Sequence, residues 1–518
     1  MPPLKQPPSL ESIVLQSVNK FTLALGHKLL DEVCSGTPTT VPPTRWGMSS
    51  NFVSKKPSEI LNSQEMQHFF HPGLPLYLSN AVTSVALKAI TTIISQAKCT
   101  HDGFSKSGDD SCREIVESLI SIVLRAQLTH FDLLKWPWFI GETLLKHLHI
   151  FHHLEVLKLW PVTWSPVWAT VVEVLQGGYC SLSNLVSFSM RCHCTDKILI
   201  LMVSCTRLQY LDVMSSVEVT DLCVSSLLHL NNLKVMNMCS TSLTAVGYTR
   251  LLNGLPHLGK LVWFDLNSKA LGSMKTSPLS LLSYEASRVS LNQLIIIVRM
   301  CPYLIQISLH WVEADLSVLG ELKQLKEIKI AHCSAVNSNL KGLLEVVGYN
   351  IASLELHEMK DVDLLMIGAL CINLKRMGLM CDFKASEESF LAIKEPLFKE
   401  LEDLRFGSEY SECLFFSCIN IRKLEVSKCQ NFNDHVVAAL LTRNPLKQLE
   451  VLSVGHSGLL SMNTVHLLLE SCDNLRVLEG LESWGGVTKS QVMELCADMK
   501  RKNMDIEILW KKPLQISW

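Results

Sequence analysis

Apolar residues recur along this chain in short runs of the form L-x-x-Φ-x-Φ, where Φ is any apolar residue. The runs begin about every 25 residues from Leu128 almost to the C-terminus. Apolar and polar positions alternate inside each run, which predicts a short strand, and helical spacing between runs predicts a helix. The first apolar residues of the runs are Leu128, Leu154, Leu185, Leu208, Leu233, Leu258, Leu304, Leu325, Ile351, Leu374, Leu401, Ile421, Leu449, Leu475 and, in a degenerate form, Met504.

Cysteines occupy fixed places in this repeat. One group stands three residues before the first apolar position of a run: Cys205, Cys301, Cys371, Cys418 and Cys472. A second group follows the predicted strands: Cys192, Cys239, Cys333, Cys381 and Cys429. Period and cysteine pattern together resemble the cysteine-containing class of leucine-rich repeats over about three quarters of the chain. The resemblance implies an α/β leucine-rich-repeat solenoid, or horseshoe, in which each repeat buries its apolar face only by stacking on its neighbours.

One interval breaks the period. The runs at Leu258 and Leu304 are 46 residues apart, and the segment from about 265 to 290 is Ser-rich with no clear strand. Either one repeat has degenerated or a loop has been inserted. Insertions in solenoids tend to map to one surface and are often used for binding, so a loop here is a candidate contact site.

Residues 1–127 lack the runs and form a separate helical module, whereas residues 128–518 carry about 15 repeats. Apolar residues spaced as on one helix face predict an amphipathic helix from Ser9 to about Cys34. A Pro-, Ser- and Thr-rich linker at about 35–58 follows, and further helices begin at Leu74 and Cys112. A helical cap of this kind would cover the open end of the first repeat.

The first helix also resembles a protein-docking motif. Ser9-Leu10 followed by Val14 and Val18 resembles the BC-box, S/T/P-L-x-x-x-C-x-x-x-Φ, with Val14 where that family has cysteine. Leu74-Pro75 looks like the Cullin box that follows a BC-box, or like the L-P opening of an F-box. With the cysteine-type repeats, this order implies the substrate-recognition subunit of a Cullin-RING ubiquitin ligase. Its partners would be Elongin B/C or an Skp1-like adaptor, a cullin, and a protein substrate.

The alternative is a leucine-rich-repeat scaffold without a ligase connection, whose cap is only a cap. The two hypotheses differ in the exposure of one helix stripe. A docking helix would leave Leu10, Val14 and Val18 exposed, whereas a cap helix would bury them.

Binding is expected on the strand face of the repeats. Positions between the apolar residues of a run point away from the core, because successive strand side chains alternate between two sides. These positions mix both signs of charge with aromatic residues and Met, a composition closer to a protein interface than to a phosphate-binding groove. The candidate substrate-binding residues on this face are Trp160, Tyr210, His310, His357, Arg376 and Arg405.

Composition excludes several partner classes. A net charge of -2 gives no electrostatic reason to expect nucleic acid or anionic lipid. No apolar run approaches the ~20 residues that span a bilayer. The chain has 518 residues with 18 cysteines and opens without a signal-peptide pattern, so we expect reduced thiols and a cytoplasmic, possibly nuclear, protein.

Two local motifs invite a chemical interpretation, and neither has the required spacing. Cys192-His193-Cys194 is a single C-x-C, whereas closed zinc sites use C-x2-C or H-x3-H. Gly455-His456-Ser457-Gly458 resembles a nucleophile elbow, but Leu459 stands where G-x-S-x-G needs glycine. The chain also has no phosphate-binding G-x-x-x-x-G-K-[ST] loop and no H-E-x-x-H helix. We therefore expect neither catalysis nor a metal or other cofactor.

Overall fold

The computed structural model describes residues 9–34, 76–100, 117–120, 124, 128–133, 138–159, 175, 182–262, 271–272, 278–333, 337–381, 383–384, 396–407, 414, 417–427, 432–456 and 459–511. The chain divides into two units. Residues 8–258 form the N-terminal unit, and residues 259–518, grouped with residues 1–7, form the C-terminal unit. Both units are built from parallel strands that alternate with helices, which makes the fold an α/β leucine-rich-repeat solenoid.

The N-terminal unit begins with two long helices and continues with short repeats. Its described strands are β1 (His130–Asp132), β2 (Val156–Leu159), β3 (Ser187–Met190), β4 (Tyr210–Asp212) and β5 (Val235–Asn237). Its described α-helices are α1 (Leu10–Cys34), α2 (Leu76–Thr100), α3 (Trp138–Lys146), α4 (Asp196–Leu201), α5 (Val224–Leu227) and α6 (Ala245–Gly254). Each strand pairs in parallel with the next, so equivalent positions of successive repeats lie side by side.

The C-terminal unit repeats the same arrangement with longer strands. Its described strands are β6 (Lys260–Val262), β7 (Ser283–Val289), β8 (Gln306–Val312), β9 (Glu327–Cys333), β10 (Ser353–His357), β11 (Val362–Asp363), β12 (Arg376–Met380), β13 (Phe383–Lys384), β14 (Asp403–Gly407), β15 (Lys423–Ser427), β16 (Val451–Gly455), β17 (Val477–Glu479) and β18 (Glu507–Leu509). Its described α-helices are α7 (Leu291–Met300), α8 (Asn337–Val347), α9 (Leu364–Leu370), α10 (Asp434–Arg443), α11 (Met462–Ser471) and α12 (Lys489–Arg501). Within this unit, the described strands other than β11 and β13, which pair with each other, belong to one parallel sheet.

The predicted strands form at the apolar runs, and their inward residues stack into a buried ladder. Ile307, Ile328, Leu354, Met377 and Leu404 occupy one register position on β8, β9, β10, β12 and β14, and each is at most 1% exposed. Fully burying such a side chain contributes about 1.5–3 kcal/mol. Each of these side chains packs against the equivalent side chains of the neighbouring strands, so this stabilisation is shared between neighbouring repeats.

The segment at about 265–290 contains a strand, which corrects the expectation that it has none. Leu281, Tyr284 and Ala286 are buried and supply the apolar positions of β7, which pairs in parallel with β6 and β8. Residues 283–289 therefore form a degenerate repeat, the first of the two alternatives. Residues 263–270 and 273–277 lie outside the described part of the chain.

Several repeats have a residue in the left-handed backbone region near the end of their strand or shortly after it. This residue comes five positions after the first outward-facing residue of the strand, and its φ lies between 48° and 69°. L-residues other than Gly, Asn and Asp avoid this region, at a cost of about 1–2 kcal/mol each. The residues at this position are Cys192, Ser215, Ser240, Arg288, Trp311, His332, Glu358 and His456.

The helical cap predicted for the first repeat is present. Asn80 on α2 provides a hydrogen-bond acceptor for backbone N–H groups at the start of strand β1. Its Oδ1 accepts hydrogen bonds from the backbone N–H groups of Thr129 (3.1 Å) and His130 (3.3 Å). Helix α1 packs on α2, where Gly26 lies against the buried Ile93 side chain.

None of the helices in the described ranges is long and apolar enough to cross a membrane.

The cysteines before the runs pack in the core as thiols. Cys205, Cys301, Cys371, Cys418 and Cys472 are at most 1% exposed, and none of the described cysteines forms a disulfide. Burial raises the pKa of the Cys301 and Cys371 thiols to about 12, so both stay protonated. In the second group Cys239, Cys333 and Cys381 are also buried, Cys192 is exposed, and Cys429 lies outside the described residues.

Polar side chains join successive repeats at both ends of the strands. An asparagine just before many runs donates its side-chain amide to a carbonyl of the preceding repeat, as Asn373 does to Tyr349 at 2.9 Å. An aspartate at the start of a helix accepts hydrogen bonds from the N-cap residue of the next helix. The aspartate pairs are Asp196 with Thr220, Asp221 with Thr244, and Asp434 with Ser461. Sequence reasoning did not anticipate either link.

Replacing Asp434 tests the second kind of link. Its carboxylate accepts from Ser461 N–H (2.9 Å), Ser461 Oγ (2.5 Å) and Thr464 Oγ1 (2.5 Å). Hydrogen bonds to a charged group contribute about 1.5–3 kcal/mol, so we expect Asp434→Ala to lower the free energy of unfolding by about 1–3 kcal/mol. Urea unfolding measures this, with the exposed Glu470→Ala on the neighbouring helix as control.

The pH dependence of the stability of the same variant is a second test of the Asp434 hydrogen bonds. Burial raises the pKa of Asp434, but the hydrogen bonds from Ser461 and Thr464 outweigh it and hold the pKa below its usual value. A lowered folded-state pKa gives stability that is present above the unfolded pKa, about 3.9, and is lost as the pH falls below it. The difference in the free energy of unfolding between the wild type and Asp434→Ala should therefore shrink as the pH falls below this value. Equal unfolding midpoints at pH 7 would contradict the assignment.

Candidate protein-binding face

Outward residues of the strands in the C-terminal unit form a continuous polar surface. Alternation along each strand places the apolar side chains in the buried ladder and leaves the residues between them partly exposed. We call this surface the polar strand face. Its residues from β7 to β15 are Glu285, Ser308, His310, Glu327, Lys329, Glu355, His357, Arg376, Asp403, Arg405, Lys423 and Glu425.

Strand register brings together four of the predicted substrate-binding residues. His310 on β8 and His357 on β10 flank the small Ala331 on β9. Arg376 on β12 and Arg405 on β14 lie on the next two strands of the same face. These four residues therefore share one surface, and their contact with a substrate stays a prediction.

Ion pairs between and within strands orient the long side chains of this face. Arg376 reaches across β10 to Glu327, with 2.6 Å between Nη2 and Oε1. Lys329 lies 3.4 Å from the Glu355 carboxylate, and Arg405 Nη2 lies 3.1 Å from Asp403. Each pair is partly exposed, so each contributes about 0–1 kcal/mol to stability. Their main consequence is geometric, because they fix side chains that would otherwise sample many rotamers.

Gly378 makes room at the centre of the face. It stands in register between Glu355 on β10 and Arg405 on β14. A Cβ atom at this position would lie 3.1 Å from Glu355 Cγ, closer than side chains normally approach. The missing side chain leaves room for the Glu355 side chain to lie against the backbone of β12.

Two histidines on this face pair with glutamates. His310 Nε2 lies 3.5 Å from Glu285 and 3.2 Å from Ser308 Oγ, and His357 Nε2 lies 3.6 Å from Glu355. Interaction with His357 lowers the pKa of Glu355 to about 2, against burial, and Lys329 adds to the effect. The hydrogen bond from His310 likewise lowers the pKa of Glu285. Both carboxylates therefore stay ionised at neutral pH.

The other candidate substrate-binding residues belong to the N-terminal unit. Tyr210 is the first residue of β4 and is 46% exposed. An ion pair lies on the same strand face, with 2.6 Å between Arg191 Nη2 and Asp212 Oδ2. Trp160 lies outside the described residues. This face carries fewer described charges than the polar strand face of the C-terminal unit.

The residues predicted to bind an adaptor have mixed environments. Ser9 caps α1 as expected, because its Oγ accepts a hydrogen bond from Ser12 N–H at 3.2 Å. Val14 is half-buried and Val18 is only 6% exposed, which is the outcome expected of a cap helix at Val18. The Leu10 side chain and residues Leu74 and Pro75 lie outside what the structure describes. Adaptor binding through this helix stays a prediction.

The structure describes the first of the two motifs with the wrong spacing in full and the second in part. Cys192 is exposed, whereas Cys194 is fully buried and burial raises the pKa of its thiol to about 12. The two thiols therefore have opposite environments. His456 is exposed at the end of β16, and Ser457 and Gly458 lie outside the described residues. Within the described ranges, no three His, Cys, Asp or Glu side chains are arranged to hold a metal ion.

Sequence reasoning missed three residues at the edge of the polar strand face. Trp311 is 54% exposed and its ring stacks on His332, with centroids 4.0 Å apart and planes 5° from parallel. His332 Nδ1 lies 2.9 Å from Glu358 Oε2. All three residues occupy the left-handed position near the end of a strand: Trp311 within β8, His332 within β9, and Glu358 directly after β10. Alignment of the repeats on their first outward residues would have placed them in one row.

Comparison with known proteins gives no family. No protein-family model matches the chain, and no curated protein matches it. Among solved structures, the chain is similar to an internalin, InlF, of Listeria monocytogenes, at 12% identity and a TM-score of 0.33, over 66% of this chain and 94% of that one. A leucine-rich-repeat protein of Leptospira interrogans matches at 14% identity and a TM-score of 0.31, over 74% and 93% of the two chains.

A third solved structure is a complex of Rad7 and Elc1 from yeast. It matches at 13% identity and a TM-score of 0.38, over 73% of this chain and 94% of that one. Likenesses at this level concern the repeat architecture alone. They carry no assignment of partner or activity to this chain.

Glu355 provides a test of the geometry of this face. Because its folded-state pKa is lowered to about 2, its interactions stabilise the protein above the unfolded pKa, about 4.3, and are lost as the pH falls from there toward 2. We expect Glu355→Gln to unfold at lower urea concentration than the wild type at pH 6, and the gap to narrow by pH 3.5. The exposed Glu470→Gln is the control. A gap that does not change with pH would refute the pairing of Glu355 with His357 and Lys329.

Proposed function

We propose that this chain is a protein-binding leucine-rich-repeat receptor that holds a protein partner on the polar strand face. The observation that carries the proposal is the row of charged and histidine side chains on neighbouring strands, fixed by the pairs Arg376 with Glu327, Lys329 with Glu355, and Arg405 with Asp403. Such a surface offers hydrogen-bond donors and acceptors at regular strand spacing. The chain would act by binding and would perform no chemistry itself.

Preorganisation is the physical reason that this face suits a protein partner. Each rotamer-rich side chain that is immobilised on binding costs about 0.5–1.5 kcal/mol. Arg376 and Lys329 are already held by Glu327 and Glu355, so part of this cost is met during folding. The mixture of both charges favours a partner with complementary charges of both signs over a polyanion.

A finer proposal concerns what happens to the bound protein. We propose that the N-terminal helices dock on Elongin B/C or an Skp1-like adaptor, so that a Cullin-RING ligase modifies the protein held on the strand face. Support comes from the motifs at Ser9-Leu10 and Leu74-Pro75, and from Ile13, which is 47% exposed on the first turn of a helix capped by Ser9. The role would be positional, since holding a target near a reactive group raises its effective concentration.

Charge reversal tests the binding face. The full-length chain is immobilised, and proteins captured from cell extract are quantified by mass spectrometry for the wild type and for Arg376→Glu/Arg405→Glu. Both arginines lie on the proposed face, so we expect at least a tenfold loss of the partner, equivalent to about 1.4 kcal/mol. The matched control is Lys341→Glu/Lys500→Glu, which makes the same charge change on two helices of the same unit.

The control decides the outcome of that experiment. A partner that is retained by the strand-face variant, or lost equally from both variants, would refute the polar strand face as the binding surface. Circular dichroism and urea midpoints confirm that the variants fold like the wild type.

A pull-down from cells tests the ligase proposal separately. Tagged wild-type chain should recover an adaptor with a cullin, and Leu10→Asp should lose Elongin B/C because a carboxylate is strongly disfavoured in an apolar pocket. If the adaptor is Skp1-like, the loss should instead follow Leu74→Asp. Ser17→Asp, at an exposed position of the same helix, is the control. Recovery of the strand-face partner without any adaptor or cullin would refute the ligase role and leave the receptor role standing.

A further inference from the structure

An exposed tryptophan stands at the edge of the polar strand face and is held rigidly. Trp311 is 54% exposed, and His332 on the next strand stacks against its ring at 4.0 Å and 5°. Glu358, the residue directly after β10, holds the imidazole through its Nδ1 at 2.9 Å. We call these three side chains the aromatic shelf.

The backbone beneath the shelf is the left-handed position that recurs in the repeats. In the N-terminal unit this position carries the small residues Cys192, Ser215 and Ser240. In the C-terminal unit four successive strands carry large side chains there: Arg288, Trp311, His332 and Glu358. Large residues in a disfavoured conformation point to a use for their side chains, since glycine or asparagine would satisfy the backbone at lower cost.

The surroundings of the shelf are acidic. The strand ends and turns that frame it are residues 285–290, 308–315, 329–333 and 355–363. They contain seven carboxylates and three permanent cations. The carboxylates are Glu285, Glu313, Asp315, Glu355, Glu358, Asp361 and Asp363, and the cations are Arg288, Lys329 and Lys360. Lys329 is already paired with Glu355.

These observations identify a partner chemistry. We propose that the aromatic shelf receives a lysine or arginine side chain from a basic segment of the protein bound to the polar strand face. This inference rests on the proposed receptor function and adds the class of segment that is recognised. A cation over an indole face is attracted by the ring quadrupole, and the carboxylates around it add a longer-range attraction.

The same surroundings disfavour a nucleic acid. Stacking platforms for single strands combine aromatic residues with a positively charged groove that follows the phosphates. Here the His332 ring that stacks on Trp311 is paired with Glu358, and Glu313 follows Trp311 by two residues; these carboxylates would repel a phosphate backbone. A rigid, partly exposed tryptophan in a protein interface is instead a typical binding hot spot.

A random dodecapeptide library displayed on phage tests the inference with the full-length chain as bait. We expect the peptides enriched on the wild type to be rich in Lys and Arg, and their recovery to fall at least tenfold on Trp311→Ala. Trp311→Phe keeps an aromatic face and should retain most of the recovery. Tyr349→Ala removes an aromatic residue of similar exposure, 67%, from the same unit and should have no effect.

The outcomes separate this inference from the receptor proposal. Enriched peptides without a basic bias, no enrichment over blank matrix, or equal recovery on Trp311→Ala would overturn the shelf. Peptides that are lost only on Arg376→Glu/Arg405→Glu would overturn the shelf and leave the polar strand face as a binding surface. A labelled single-stranded oligonucleotide that binds the wild type and not Trp311→Ala would also overturn it. Unchanged urea midpoints establish that each variant is folded.

Discussion

Parallel pairing of equivalent strand positions is the interaction on which the rest of this structure depends. A single repeat presents an apolar face too small to be buried by itself, so Ile328 on β9 is covered only because Ile307 and Leu354 lie beside it. A shift of one residue in any strand would turn its apolar residues outward and break the ladder on both sides. The register that buries the ladder therefore also fixes every outward side chain.

This constraint is what gives the polar strand face its order. Residues that are about 25 apart in sequence are brought side by side, so that pairs such as Lys329 with Glu355 form between successive repeats. The same register produces the row of left-handed residues and therefore the stack of Trp311 on His332. The links through Asp434 and the other aspartates stabilise the helix side of the repeats in the same nearest-neighbour manner. The buried ladder and the order of the polar strand face thus both follow from the repeat of about 25 residues.

Most of the fold was predictable from the sequence because the apolar positions of the repeat are themselves the buried ladder. Strand β7 was missed because its inward residues are Tyr284, which carries a hydroxyl, and the small Ala286, whereas most other runs carry large, wholly apolar residues there; both are buried. The burial of Val18 was not predictable from its helix alone, since it depends on packing against a second helix that is distant in sequence. His310, His357, Arg376 and Arg405 were found by strand alternation, whereas Trp311, His332 and Glu358 were not, because the left-handed backbone at these residues interrupts the alternation near the end of each strand.

The central claim is that a protein partner lies on the polar strand face, and site-specific photo-cross-linking tests it most directly. A photoreactive amino acid is placed at Ser308 or Lys329 on this face, and at Val346 or Met493 on helices of the same unit, where the side chains are 54% and 66% exposed. The full-length protein is irradiated in the presence of its captured partner. The account predicts cross-links to the partner from Ser308 and Lys329 and none from the helix positions. Cross-links that arise only from Val346 or Met493 would contradict it.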